Sequence, residues 1–243
     1  MALYSVKLME LLSILTIMNN ICFLELLQIC DSLFPVGAFA LSNGMETYVQ
    51  RGKVSTAEDL KNYLYDFIKI APYQDLGTMV LAAKNANDIK YICQLDELYS
   101  AFRCPMEVRQ GSSKLCIRLL KAAKEISPFK ILDDYYNKII NGQCIGQHSI
   151  AVGLFAASHN ADIEQATLLY GYSLLSALTT NAVKSVPLRQ LDGQKVLRES
   201  FPMLYKAAKI SQQINLDNIG IGAAAFDIFS MEHETLYSRL YMS

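Results

Sequence analysis

The chain has 243 residues, 52% hydrophobic and 19% charged, with 22 Lys and Arg against 23 Asp and Glu for a net charge of −1. This length fits one large domain that folds without staples, since a core of this size removes roughly 70–75% of the unfolded chain's accessible surface. The charge balance excludes a basic nucleic-acid binder, which needs a cationic surplus to neutralise phosphates, and the apolar richness excludes disorder.

Residues 8–30 are rich in Leu, Ile and Met after Lys7, yet Glu10, Asn19, Asn20 and Glu25 interrupt the run and no small-residue cleavage site follows. The pattern predicts an amphipathic helix rather than a signal peptide or a span, which needs about 20 apolar residues. Met18 offers an alternative start that would make residues 1–17 an extension. Pro35 is expected to close the first helix and Gly37 to permit a tight turn before the next. Thr56-Ala-Glu-Asp59 has the form of an N-cap followed by acids, and Leu60, Leu64, Phe67 and Ile68 continue it at helical spacing up to Pro72. Asp88 opens a second periodic run over 89–102 that ends before Pro105, and 106–126 and 131–140 carry two more. Segments 139–161 and 166–183 contain no Asp, Glu, Lys or Arg. Their Gln, His, Ser, Thr and Asn content predicts two buried core helices rather than membrane spans. Alternating strand patterns are absent, so the expected fold is all-α, a single-domain bundle of about eight to ten helices.

Six cysteines (22, 30, 93, 104, 116 and 144) stand singly with no C-x-x-C pair, which reads as reduced thiols of a cytoplasmic protein. No phosphate-cradling G-x-x-x-x-G-K-[ST] occurs. Gly142-Gln-Cys144-Ile-Gly146 has the spacing of a hydrolase elbow with His148 nearby, but an elbow needs a strand before it and the preceding residues are helix-patterned. His148, His159 and His233 form no chelating motif, so no metal site and no cofactor is expected. A cysteine hydrolase acting through Cys144, and a stand-alone nickel carrier using His148 or His159, remain the rival readings.

Four segments in order resemble the UreF family of urease accessory proteins. They are Pro35-Val-Gly37-Ala-Phe39-Ala-Leu-Ser42-Asn-Gly44-Met-Glu46; Pro105-Met-Glu107-Val-Arg109-Gln-Gly-Ser112; Pro187-Leu-Arg-Gln190-Leu-Asp-Gly193-Gln194; and a tail from Met231 to Ser243. The resemblance covers residues 22–243 and leaves 1–21 as a variable extension. It implies an all-helical homodimer that is not an enzyme, working as a scaffold or chaperone in the cytoplasm with neither membrane nor nucleic acid as partner. Such a protein binds UreD (UreH in some bacteria) and recruits the GTPase UreG to apo-urease, so that nickel reaches a carbamylated active-site lysine; it also has the potential to modulate GTP hydrolysis by UreG. By resemblance, His233, Glu234, Tyr237, Ser238, Arg239, Leu240 and Tyr241 would face UreD/UreH. Ser42, Glu46, Glu107, Arg109, Gln190 and Gln194 would face UreG or urease, and Pro35, Gly37, Phe39, Gly44, Pro187 and Gly193 would shape the corners. On residue types alone, the Tyr- and Arg-bearing tail suits ordering on a partner. The polar segment 190–194 suits a hydrogen-bonding loop.

Overall fold

A computed structural model describes residues 20–38, 41–222 and 224–240. A helical stretch over 20–30, α1, is followed by α2 (Met45–Gln50), α3 (Ala57–Ile70), a 3-10 turn (Ala71–Tyr73), α4 (Asp75–Lys84), α5 (Ile89–Phe102) and α6 (Met106–Ile126). Then come α7 (Lys130–Ile140), α8 (His148–Ser158), α9 (Ile163–Ser185), α10 (Gln190–Glu199), α11 (Phe201–Ser211) and α12 (Ala224–His233). The described residues contain no strand, and the architecture is the expected all-α bundle. Its helices outnumber the eight to ten expected because the short α2 and the restart at Phe201-Pro202 add elements that periodicity does not resolve.

Local chemistry sets several of the helix starts. Thr56 Oγ1 accepts from Asp59 N at 3.2 Å and Asp59 returns the bond to Thr56 N at 2.9 Å, a complete capping box on α3. Asp88 Oδ1 accepts from Lys90 N and Tyr91 N at the start of α5. Pro105, which has no N–H to satisfy, stands immediately before α6.

The core centres on α4 against α8. Residues 75–83 of α4 and 149–156 of α8 are buried throughout. Gly153 makes the contact possible, because a Cβ there would lie 2.3 Å from the Met79 carbonyl oxygen. The remaining helices lie around this pair, with α9 across α4 and α8, and α10 and α11 stacked on α9.

Segment 139–161 is not one helix. It holds the end of α7, a loop over 141–147, and α8. Gly142 (φ +71°) and Gly146 (φ +92°) bracket the loop in left-handed conformations that hydropathy does not register. Segment 166–183 does lie within one helix, α9, but that helix is buried on one side only: Tyr172 and Thr180 are exposed. Among the described residues no helix is long and apolar enough to cross a membrane. In α1, Leu26 and Ile29 are buried while Ile21 and Leu24 are exposed, which is the amphipathic pattern expected there. The proposed start at Met18 lies outside the described residues.

Candidate partner-binding site

Three of the four sequence segments converge on one buried ion cluster. α12 delivers His233, fully buried, between two glutamates. Its Nδ1 lies 2.7 Å from Glu107 Oε2 on α6, and its Nε2 lies 3.2 Å from Glu46 Oε2 on α2. Both ring nitrogens face carboxyl oxygens. The tail then doubles back. Arg239 Nη1 donates to Glu107 Oε1 at 2.6 Å, and the Leu240 N–H donates to Glu46 Oε1 at 2.8 Å. The two carboxylates thus meet the imidazole, a guanidinium and a backbone N–H, and hydrogen-bonding partners of this kind are what make buried charges tolerable.

Further contacts hold the tail. Glu234 Oε1 accepts from Met106 N at 3.1 Å, the Ser238 carbonyl accepts from Gln50 Nε2 at 2.8 Å, and Arg51 pairs with Glu232 at 3.2 Å. Anchoring turns the backbone and charges inward and leaves apolar tips outside: Tyr237 is fully exposed and Leu240 is 71% exposed. Tyr241 lies outside the described residues.

Residues expected at a partner face therefore divide by depth. Ser42, Glu46 and His233 are buried, and Glu46 and His233 hold the tail. Gly44 explains how α12 comes so near: it sits at φ +81°, and a Cβ would lie 2.6 Å from Ser230 Oγ and 3.0 Å from Ser230 N. Aromatic packing completes this contact, with Tyr48 stacked on Phe229 at 4.0 Å between ring centroids. The corner before α2 is fixed by Arg118, which donates to the Val36 carbonyl at 2.8 Å and occupies the space a Cβ on Gly37 (φ +80°) would need. Pro35 is several residues beyond the end of α1 rather than at it. Phe39 lies outside the described residues.

Arg109 does not pair with Glu107. Its Nη1 donates to the Arg103 and Cys104 carbonyls at 2.5 and 2.6 Å, tying down the turn between α5 and α6. Segment 190–194 is likewise helix, not loop. It forms the first half of α10, where buried Gly193 brings α10 onto α9: a Cβ there would be 2.6 Å from Val183 Cγ2. Gln190 and Gln194 point outward from that helix and are exposed, and exposed Pro187 follows the end of α9.

Sequence reasoning missed two buried networks that hold this region rigid. Asp96 on α5 accepts from Tyr135 Oη at 2.6 Å, Ile145 N at 2.7 Å and Gly146 N at 3.0 Å. Burial pushes its carboxyl up, and these three donors oppose the shift. Gln147, next in the loop, accepts from Ser112 Oγ at 2.9 Å and donates to Ser100 Oγ at 2.7 Å. Arg103 pairs with Asp75 at 2.7 Å; burial opposes its charge most strongly, but Asp75, Tyr99, Tyr170 and Asp227 together outweigh burial and hold the guanidinium charged. The available signal was an acid within the apolar row of Ile92, Leu95 and Tyr99.

The elbow and metal readings find no support in the geometry. Cys144 follows a helix and a turn, and burial pushes its thiol up, away from the thiolate a nucleophile needs. His148 is pushed down to about 4 by burial and by Arg103, and its Nδ1 faces Tyr170 Oη at 3.4 Å rather than a thiol. His159 is enclosed by Phe155, Phe129 and Ser127. Among the described residues no group of three or more His, Cys, Asp or Glu side chains is arranged to hold a metal ion.

The UreF family model matches residues 54–201, more than half of the chain. The chain belongs to the UreF family. Within that family it is 36% identical over 221 residues to the urease accessory protein UreF of Actinobacillus pleuropneumoniae serotype 5b, covering 90% of this chain and 97% of that one. It is 31% identical to UreF of Bacillus sp. strain TB-90, covering 90% and 98%, and 28% identical to UreF of Streptococcus salivarius, covering 91% and 94%. The family match includes Glu107, Arg109, Pro187, Gln190, Gly193 and Gln194. The α2 corner and the tail lie beyond its limits, and it is the ion cluster that ties them to the matched region.

Proposed function

We propose that this protein serves urease maturation as a non-catalytic scaffold, a homodimer that binds UreD/UreH through its tail and recruits UreG to apo-urease for nickel insertion. Membership of a family of urease accessory proteins supports the maturation role. The observation that carries the finer reading is the tail's two-sidedness, because the residues that anchor it are buried or charged and those left over are Tyr237 and Leu240. An aromatic ring and a leucine on an anchored segment make a docking surface whose ordering cost is already met, and such anchors dominate binding energies. Exposed Gln190 and Gln194 on α10 offer donors and acceptors for a second partner, UreG or urease. The exposed Tyr172 and Phe201, 6.1 Å apart between centroids, suit contact with a second copy.

Mechanistically the scaffold acts by differential binding, holding UreG in one nucleotide-dependent pose and releasing it when GTP is hydrolysed. Nickel is cargo in this scheme, and its ligands would come from the partners.

The test is co-elution with UreD/UreH, monitored by light scattering, for the native chain and for a Tyr237→Ala/Leu240→Ala variant. Both side chains are exposed, so stability should change by no more than about 0.5 kcal/mol. Affinity should fall at least roughly 30-fold, as expected when a hot-spot pair is lost. Unchanged co-elution by the double variant would place the UreD/UreH site elsewhere.

A further inference from the structure

Two of the described methionines are exposed, and both border the tail. Met45 and Met79 are fully buried and Met203 is half-buried, whereas Met106 is 46% and Met231 41% exposed. One residue joins the exposed pair. The Met106 N–H, at the start of α6, donates to Glu234 Oε1 at 3.1 Å, and the Met231 carbonyl, near the end of α12, accepts from Glu234 N at 3.2 Å. Glu234 in turn leads into the segment that carries exposed Tyr237 and Leu240. Ile228, one turn before Met231 on the same face of α12, is also exposed and extends this apolar edge. Thioethers are flexible and polarizable and recur at surfaces that bind partners. A solvent-facing thioether is equally open to oxidants, because its sulfur needs no deprotonation to react.

We propose that Met106 and Met231 form a methionine oxidation site, converted by a hydroperoxide into sulfoxides that weaken docking at the tail. The effect on docking rests on the tail-binding reading above; the chemistry does not. At each residue a sulfur lone pair attacks one peroxide oxygen, the O–O bond breaks, a sulfur–oxygen bond forms, and the other oxygen leaves as water or an alcohol. The sulfur loses two electrons, the peroxide gains them, and the protein loses no proton overall. A sulfoxide oxygen is an acceptor with no donor waiting on an apolar contact, so a partner closing over it buries an unpaired polar group. Methionine sulfoxide reductases remove the oxygen as water at the expense of a thiol reductant, which makes the change reversible. Met45 and Met79 are kept from this chemistry by burial, and Met79 Sδ also accepts from Thr167 Oγ1 at 3.7 Å.

The experiment uses the full chain carrying Cys104→Ser, because exposed Cys104 stands two residues from Met106 and would oxidise as well. The protein is treated with hydrogen peroxide, digested and followed by mass spectrometry. Peptides containing Met106 and Met231 should gain oxygen at least roughly 10-fold faster than those containing Met45 and Met79. The oxidised protein is then titrated with UreD/UreH. Its affinity should fall roughly 10-fold and return after treatment with both stereospecific reductases. A Met106→Leu/Met231→Leu chain, conservative in volume, should lose no affinity on the same peroxide treatment. Oxidation of Met45 or Met79 as fast as the exposed pair would overturn the site. An equal loss of affinity in the double-Leu chain, or undiminished affinity once Met106 and Met231 are fully oxidised, would overturn the effect on docking. Failure of the untreated protein to bind UreD/UreH refutes the tail reading and the docking effect with it, while the order of oxidation still decides the site.

Discussion

His233→Ala tests the ion cluster most directly. The substitution removes a fully buried ring that hydrogen-bonds two carboxylates, leaving Glu46, 3% exposed, and Glu107 facing a void, with Arg239 and the Leu240 N–H among their remaining partners. Breaking a buried ionic group by deleting one partner typically costs about 3–5 kcal/mol. At this chain length each kcal/mol corresponds to roughly 2–4 °C, so the melting temperature should fall by about 6–20 °C by calorimetry. A second substitution separates charge from packing. In the His233→Ala background, Glu46→Gln removes a buried carboxylate that has lost its imidazole partner and should recover about 1–2 kcal/mol, whereas in the native background the same change should destabilise. The sign reversal is diagnostic of coupling. A fall of less than about 2 °C for His233→Ala, or an effect of Glu46→Gln that is the same in both backgrounds, would refute the compensated cluster.

The remaining predictions concern single positions. His148 is held near 4 in the folded chain against an ordinary 6.5, so the unfolded state binds the proton more tightly. Its contribution to stability is therefore complete above pH 6.5 and is lost as pH falls towards 4, a slope of up to about 3 kcal/mol. His148→Gln should flatten the melting-temperature profile between pH 6.5 and 5, where few carboxylates titrate. Gly44→Ala should destabilise by about 2–3 kcal/mol through both positive φ and the clash with Ser230, while Gly52→Ala, at φ +67° with nothing within 4 Å, should cost about 1 kcal/mol. Equal denaturation midpoints for the two would remove the packing argument for Gly44. Iodoacetamide at neutral pH should label exposed Cys104 well before Cys144, whose thiol burial holds protonated. Faster labelling of Cys144 would reopen the nucleophile reading.

Helices were legible wherever their ends are written locally. Thr56 and Asp88 carry their caps within four residues, and Pro105 marks a start by lacking a donor. The run 139–161 was misjudged because two glycines with positive φ interrupt an otherwise apolar stretch, and apolarity conceals a turn. Segment 190–194 was taken for a loop because its polarity and glycine suggest one. In the fold Gly193 serves close helix packing, and the polar residues on either side lie along α10. The site was legible as residues but not as an arrangement. Glu46, Glu107 and His233 all belong to segments that resemble the family, yet Glu46 and His233 are 187 residues apart, and no local pattern predicts their hydrogen bond. Burial also inverted part of the reading, since a polar residue in a motif looks like a contact until its side chain proves to be interior.

The close meeting of α4 and α8 bears on how the molecule opens. With the Met79 carbonyl 2.3 Å from a hypothetical Gly153 Cβ, these two helices have almost no freedom to separate by degrees. Their amides should exchange with solvent only through global unfolding, whereas the tail, anchored by the Arg239 and Leu240 hydrogen bonds with Tyr237 and Leu240 exposed, should open at a lower free energy. Opening is thus partitioned by geometry. The tail that carries Tyr237 and Leu240 should therefore exchange its amides well before those of the α4–α8 centre.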